Sequence, residues 1–126
     1  MKRFEYSAGA VHDEPLDPKR RWSPEDLVLA GLVNCTLASL AFYAEREKMT
    51  MTGSGTADGV VSKRESDGRY AFVEVLCGLD VDLDPKPDDE KLRKLLDSAQ
   101  WGCFIGASLT VKPRYEWRVN GEVVAH

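Results

Sequence analysis

The chain has 126 residues, 43% hydrophobic and 30% charged, the size and balance of one globular domain spanning residues 1–126. Acids outnumber bases, for a formal charge of −4, so the Lys/Arg excess that a phosphate backbone requires is missing and a nucleic-acid partner is excluded. Three widely spaced Cys and two His, His12 and His126, make neither a secreted disulfide framework nor a zinc site, so no metal or other cofactor is expected.

Phe4, Tyr6, Ala8 and Ala10 alternate within residues 3–11 and predict a short strand. This N-terminal stretch has no signal-peptide apolar region, and no apolar run in the chain reaches the roughly 20 residues of a bilayer span. The expectation is a cytoplasmic protein with no membrane partner. Residues 12–22 hold two Pro and several charges, including Lys19, Arg20 and Arg21, and predict a loop. Ser23 then offers an N-cap, Pro24 suits the first helical position, and Glu25 and Asp26 suit the positive end of a helix dipole. The helix predicted over residues 23–48 carries apolar or small residues all round from Leu27 to Ala44. Such a helix is buried on most sides, in a core or between subunits.

A Gly-rich strand over residues 51–64, a turn at Ser66-Asp67-Gly68 and a long strand over residues 70–84 predict a hairpin. In the second strand Ala71, Val73, Val75, Cys77, Leu79, Val81 and Leu83 all fall on one face. Pro85 and Pro87 end it. Leu92, Leu95, Leu96 and Ala99 have helical spacing, with Gly102 as the stop. Residues 103–108 form a turn or a short helical piece. A last strand over residues 109–119 puts Leu109, Val111, Tyr115, Trp117 and Val119 together, with Pro113 marking it as an edge or bulged strand, and Asn120-Gly121 is a turn. The order is α+β, with helices on a largely antiparallel sheet. That sheet is too small to cover so apolar a first helix, which predicts a homodimer.

Cys77 reads as a core residue, because Cys is among the most buried types. Cys35 sits mid-helix beside Asn34, Thr36 and Ser39, small polar residues that suggest a pocket wall. Cys103 follows Gly102, where the backbone can approach another segment closely.

The stretch SPEDLVLAGLVNCTLASL resembles the helical motif of the OsmC/Ohr family of thiol peroxidases, with Glu25 ten residues before Cys35. The stretch SAQWGCFIGASL resembles the family's second motif, with Cys103 at its cysteine. The two thiols lie 68 positions apart, across a hairpin and a helix, as in the family. The resemblance implies an OsmC-like fold, an intertwined homodimer, and reduction of organic hydroperoxides by a thiol pair without metal or flavin. It assigns Cys35 as the attacking thiol and Cys103 as the resolving thiol, recycled by a dithiol reductant. Glu25 is implied to orient an activating Arg. Because ten helical residues rise about 15 Å, a continuous helix would bring Glu25 only to a partner's thiol. The Gly-Arg that carries the activating cation in the family is missing from the N-terminal segment. Arg21 and Arg20 are then the nearest candidates, followed by Arg3.

Two other functions fit parts of the pattern. A non-enzymatic dimer could use the thiol pair as a redox sensor or the pocket as a binding site. A hot-dog thioesterase also wraps a sheet round a long helix, but it needs a carboxylate or His mid-helix, where this chain has Asn34 and Cys35.

Overall fold

A computed structural model describes residues 2–7, by their backbone, and residues 23–125 with their side chains. The loop expected over residues 12–22, with Arg20 and Arg21, lies outside the described residues, as does the side chain of Arg3.

The chain order is β1 (Lys2–Ser7), α1 (Pro24–Arg46), β2 (Thr50–Lys63), β3 (Tyr70–Asp84), α2 (Asp89–Trp101), α3 (Phe104–Ser108), β4 (Arg114–Val119) and β5 (Glu122–Val124). The five strands form one sheet in sequence order. Three pairings are antiparallel, and β3 with β4 is parallel because α2 and α3 carry the chain back before β4 begins. This is the α+β arrangement expected from the sequence, with the piece after Cys103 helical (α3) and β5 added.

The start of α1 is fixed locally. Asp26 N–H donates to Ser23 Oγ at 3.3 Å, and Ser23 N–H donates back to Asp26 Oδ2 at 3.2 Å. Such a capping box satisfies two donors that the helix itself cannot, worth about 1 kcal/mol. From there α1 runs unbroken for 23 residues. By length and composition it meets the requirement for a membrane span, contrary to the sequence expectation that no run was long enough. Its packing is that of a core helix: Leu29, Leu32, Val33, Thr36, Leu37, Leu40 and Ala44 are buried against the sheet and α2.

The glycines of β2 let α1 settle onto the sheet. A Cβ on Gly55 would stand 3.0 Å from Val33 Cγ1, and one on Gly59 would stand 3.2 Å from Leu29 Cδ2. Real Cβ atoms rarely come so close, so a larger residue would hold the helix away.

Along β3 the inward face carries Val75, Cys77, Leu79, Val81 and Leu83, as expected. It does not extend to Val73, which is exposed. The register shifts there, with Val60 opposite Glu74 and Val61 opposite Phe72. The extra residue turns the strand over, so Phe72 packs on the core instead. The last strand also differs from expectation. It begins at Arg114, and β4 lies inside the sheet, not at its edge. Pro113 precedes the ladder and so removes no bond from it.

Asn120 locks the end of β4 to β3. Its side chain accepts from Leu83 N–H at 2.8 Å and donates to Leu83 O at 3.1 Å. Asn120 and Gly121 both have positive φ, which Asn and Gly tolerate best. On α2, Gln100 Oε1 accepts from the buried Trp117 indole at 2.9 Å and ties the helix to β4.

Candidate active site

Three elements bring the thiols together. Cys35 is half-buried at the middle of α1. Cys103 is fully buried at the junction of α2 and α3, where it caps the short helix by accepting from Gly106 N–H at 3.4 Å. Cys77 is fully buried on β3.

The close packing of that junction on α1 depends on Gly102. Its φ is −81°, an ordinary right-handed value, so the residue is not there for backbone freedom. It is there for space: a Cβ would stand 2.7 Å from Ser39 Oγ and 3.2 Å from the Tyr43 ring. This is the close approach that the sequence suggested for the Cys103 segment.

The Cys35 thiol is within hydrogen-bonding reach of the Cys103 thiol and of the Ile105 and Phe104 amides. Burial pushes it above the ordinary thiol value. The Ile105 amide opposes that shift, the neighbouring Cys103 adds to it, and the Phe104 amide opposes it again. Among the described residues no cation acts on this sulfur. Cys77 is pushed up to about 12 by burial, opposed by a hydrogen bond from Thr36.

Thr36 is the hub of the buried side. It has no exposed surface, and its Oγ1 lies 2.8 Å from Leu32 O and 3.3 Å from Cys103 Sγ. The Tyr115 hydroxyl reaches the same place from β4. Burial raises its pKa first, with Cys103 and Cys77 adding to the shift.

On the other side, Cys35 opens into an apolar groove of about 630 Å³. Asn34, Ser39, Phe42, Trp101 and Phe104 line it. Trp101 is 84% exposed, Phe104 69% and Phe42 56%, so one chain alone leaves this wall uncovered. Of the polar residues beside Cys35, Asn34 and Ser39 form the expected pocket wall, whereas Thr36 faces inward to Cys103.

Of the remaining sequence candidates, Glu25 alone is described with its side chain. Glu25 lies in the first turn of α1, and because that helix is unbroken it rises about 15 Å before reaching Cys35. Arg21 is outside the described residues. The sequence reading missed Trp101 and Phe104, the aromatics on either side of Gly102-Cys103, and gave Thr36 and Tyr115 no part beside Cys103. The pair of aromatics flanking that dipeptide was the available signal. Thr36 and Tyr115 carried none, since only the fold brings them to Cys103.

The sequence profile of a family described as OsmC-like protein matches residues 17–118. Solved structures share the fold. An OsmC-like protein of unknown function from Vibrio cholerae aligns with a TM-score of 0.65 at 23% identity, over 75% of this chain. The chain spans 63% of that protein's length. An OsmC-like protein from Mycoplasma pneumoniae aligns at 0.63 and 15% identity over 94% of both chains. The organic hydroperoxide resistance protein OhrB of Bacillus subtilis aligns at 0.54 and 22% identity, over 77% of this chain and 69% of its own. No curated protein matches significantly.

Proposed function

This chain belongs to the OsmC-like protein family, and on that premise we propose that it reduces organic hydroperoxides through the Cys35–Cys103 pair. The observation that carries the reading is the placement of the two thiols. Cys35 faces an open apolar groove, and Cys103 lies directly behind it, fully buried.

The chemistry follows from that order. The Cys35 thiolate attacks the terminal oxygen of a hydroperoxide ROOH, the O–O bond breaks, and the alkoxide leaves as ROH after taking a proton. Cys35 becomes a sulfenic acid. The Cys103 sulfur then attacks the Cys35 sulfur, water departs, and a disulfide remains. A dithiol reductant returns both thiols and leaves as its own disulfide. The aromatic wall favours alkyl or lipid hydroperoxides, whose chains gain by leaving water, over hydrogen peroxide.

The uncovered wall of Phe42, Trp101 and Phe104 supports a homodimer, since an apolar surface of this kind is stable once a second copy covers it. The dimer also gives Glu25 a role that its own chain denies it. Glu25 from a second copy would orient Arg21 as the cation that lowers the Cys35 pKa.

The assay is hydroperoxide consumption with a dithiol reductant. Turnover should vanish in Cys35→Ser, and an unchanged rate there refutes the reading. One observation favours a second reading, a redox-sensing dimer: the Cys35 thiol is held above its ordinary value, which slows attack. A sensor would form the disulfide with peroxide yet show no steady-state turnover.

A further inference from the structure

The buried side of the thiol pair holds more hydrogen-bond donors than resolution of a sulfenic acid requires. Gly106 N–H points at Cys103 Sγ from 3.4 Å and Thr36 Oγ1 lies at 3.3 Å. The Tyr115 hydroxyl stands on the same side, with the sulfur and the hydroxyl both lying against Gly106. Gly106 leaves room for it: a Cβ there would stand 2.8 Å from the Tyr115 oxygen and 3.6 Å from Cys103 Sγ. Cys103 and Thr36 have no exposed surface, so water does not compete for the Thr36 hydroxyl, whereas Tyr115 is half-buried.

We propose that Thr36 and Tyr115 are positioning residues for the return half of the cycle: with the Gly106 amide they receive Cys103 as the departing thiolate, so a dithiol reductant opens the disulfide by attacking Cys35. The inference rests on the thiol pair of the preceding reading. It concerns the direction of reduction, which that reading leaves open.

The step balances as follows. One thiolate of the reductant attacks Cys35 Sγ, and the Cys35–Cys103 bond breaks. Its electron pair goes to Cys103 Sγ, leaving a mixed disulfide between Cys35 and the reductant. The reductant's second thiol displaces Cys35, so the reductant leaves as a cyclic disulfide and its two protons end on the protein thiols.

Two independent requirements of thiol–disulfide exchange select the same sulfur. The attacked sulfur must be reachable, and the leaving sulfur must be the better stabilised thiolate. Cys35 borders the groove and Cys103 is enclosed. The donors stand on the enclosed side, where a hydrogen bond to a charge is worth about twice one to a neutral group. Thr36 has a single hydroxyl proton. With neutral thiols it can serve the Leu32 carbonyl at 2.8 Å. When charge appears on Cys103 the proton can turn to the sulfur, because the helix's own amide ladder still serves that carbonyl.

Oxidation with diamide makes the disulfide without any peroxidase activity, so this test stands apart from the hydroperoxide assay. The oxidised protein is treated with excess N-acetylcysteine, quenched with N-ethylmaleimide in acid, and mapped by peptide mass spectrometry. The expected result is N-acetylcysteine on Cys35 and N-ethylmaleimide on Cys103. Reduction by dithiothreitol should slow about tenfold in Thr36→Val and in Tyr115→Phe, one charge-assisted hydrogen bond each, with part of the adduct moving to Cys103. Thr36→Ser, which restores the hydroxyl, should recover the wild-type rate and also covers the case in which Thr36→Val does not fold. A purely structural role would lower the melting temperature without moving the adduct. The proposal is overturned by an adduct on Cys103 in the wild type, by variants reduced at the wild-type rate, or by no disulfide forming with diamide. Clean attack on Cys35 in a protein with no hydroperoxide turnover would leave it standing while refuting the peroxidase reading.

Discussion

Substituting Gly55→Ala tests whether the seating of α1 on β2 supports the thiol pair. The new methyl would stand 2.8 Å from Gly78 O, 2.9 Å from Leu79 Cδ1 and 3.0 Å from Val33 Cγ1. The first of these is backbone within a paired strand and cannot swing away. Overpacking of this kind costs about 1–3 kcal/mol. Against it stands a gain of about 0.4–1 kcal/mol from the less flexible unfolded chain. The net loss is about 1–2 kcal/mol, or a fall in melting temperature of about 4–8 °C for a domain of this size. Val33 lies half a turn before Cys35, so lifting α1 also separates the thiols, and disulfide formation with diamide should slow in the same variant. Gly31→Ala is the control. Its methyl meets nothing within 4 Å, and on a half-buried helical turn it should raise stability by up to about 1 kcal/mol. Thermal and urea melts followed by circular dichroism check both. If Gly55→Ala melts at or above the wild-type temperature, the close seating of helix on sheet is not a constraint.

Three further outcomes follow from individual groups. In Arg21→Ala, with no cation beside the sulfur, the rate of Cys35 alkylation should climb about tenfold per pH unit from pH 6 and show no plateau below the ordinary thiol value of about 8.5, because burial raises the thiol and it reacts only as thiolate; the same profile in the wild type would refute the Arg21 contact. Cys77 keeps its proton in the folded state up to about pH 12, whereas the unfolded chain loses it near pH 8.5, so its contribution is full below that value and falls as pH rises through the window. Urea titrations at pH 8 and pH 10.5 should show a loss smaller by about 2 kcal/mol in Cys77→Val than in the wild type, and equal losses refute the assignment. Ser39 Oγ is buried with no hydrogen-bond partner among the described residues, so Ser39→Ala should stabilise the fold by about 1 kcal/mol; a comparable loss would mean that the hydroxyl finds a partner in solution.

What the sequence disclosed was mostly local chemistry. The cap of α1 could be read from Ser23, Pro24 and Asp26 because a side chain meets backbone only three residues away. The inward face of β3 could be read from Val75 to Leu83 because pleating alternates strictly there. The reading failed where one residue changes the count. The extra residue at Val73 reverses the strand, and no periodicity anticipates a bulge. Pro113 was read as interrupting a strand that in fact starts after it. At the site, Cys35 and Cys103 were legible through the residues around them. Thr36 was not: Cys35 opens to the groove, and one step of 100° round the helix turns Thr36 to the buried side. Tyr115 reaches the thiols only because β4 lies parallel to β3, a pairing made across the whole α2–α3 crossover.

That crossover has a thermodynamic consequence. Cys103 sits within it, 68 positions from Cys35, so a disulfide between them would tie the first helix to the last third of the chain. Closing a loop of that length removes unfolded-state entropy worth about 4 kcal/mol. Each cycle would therefore alternate between a clasped, heat-resistant form and a looser reduced one. A protease that cleaves only the unfolded chain would then report the redox state of the pair, with the oxidised protein surviving long after the reduced one is degraded.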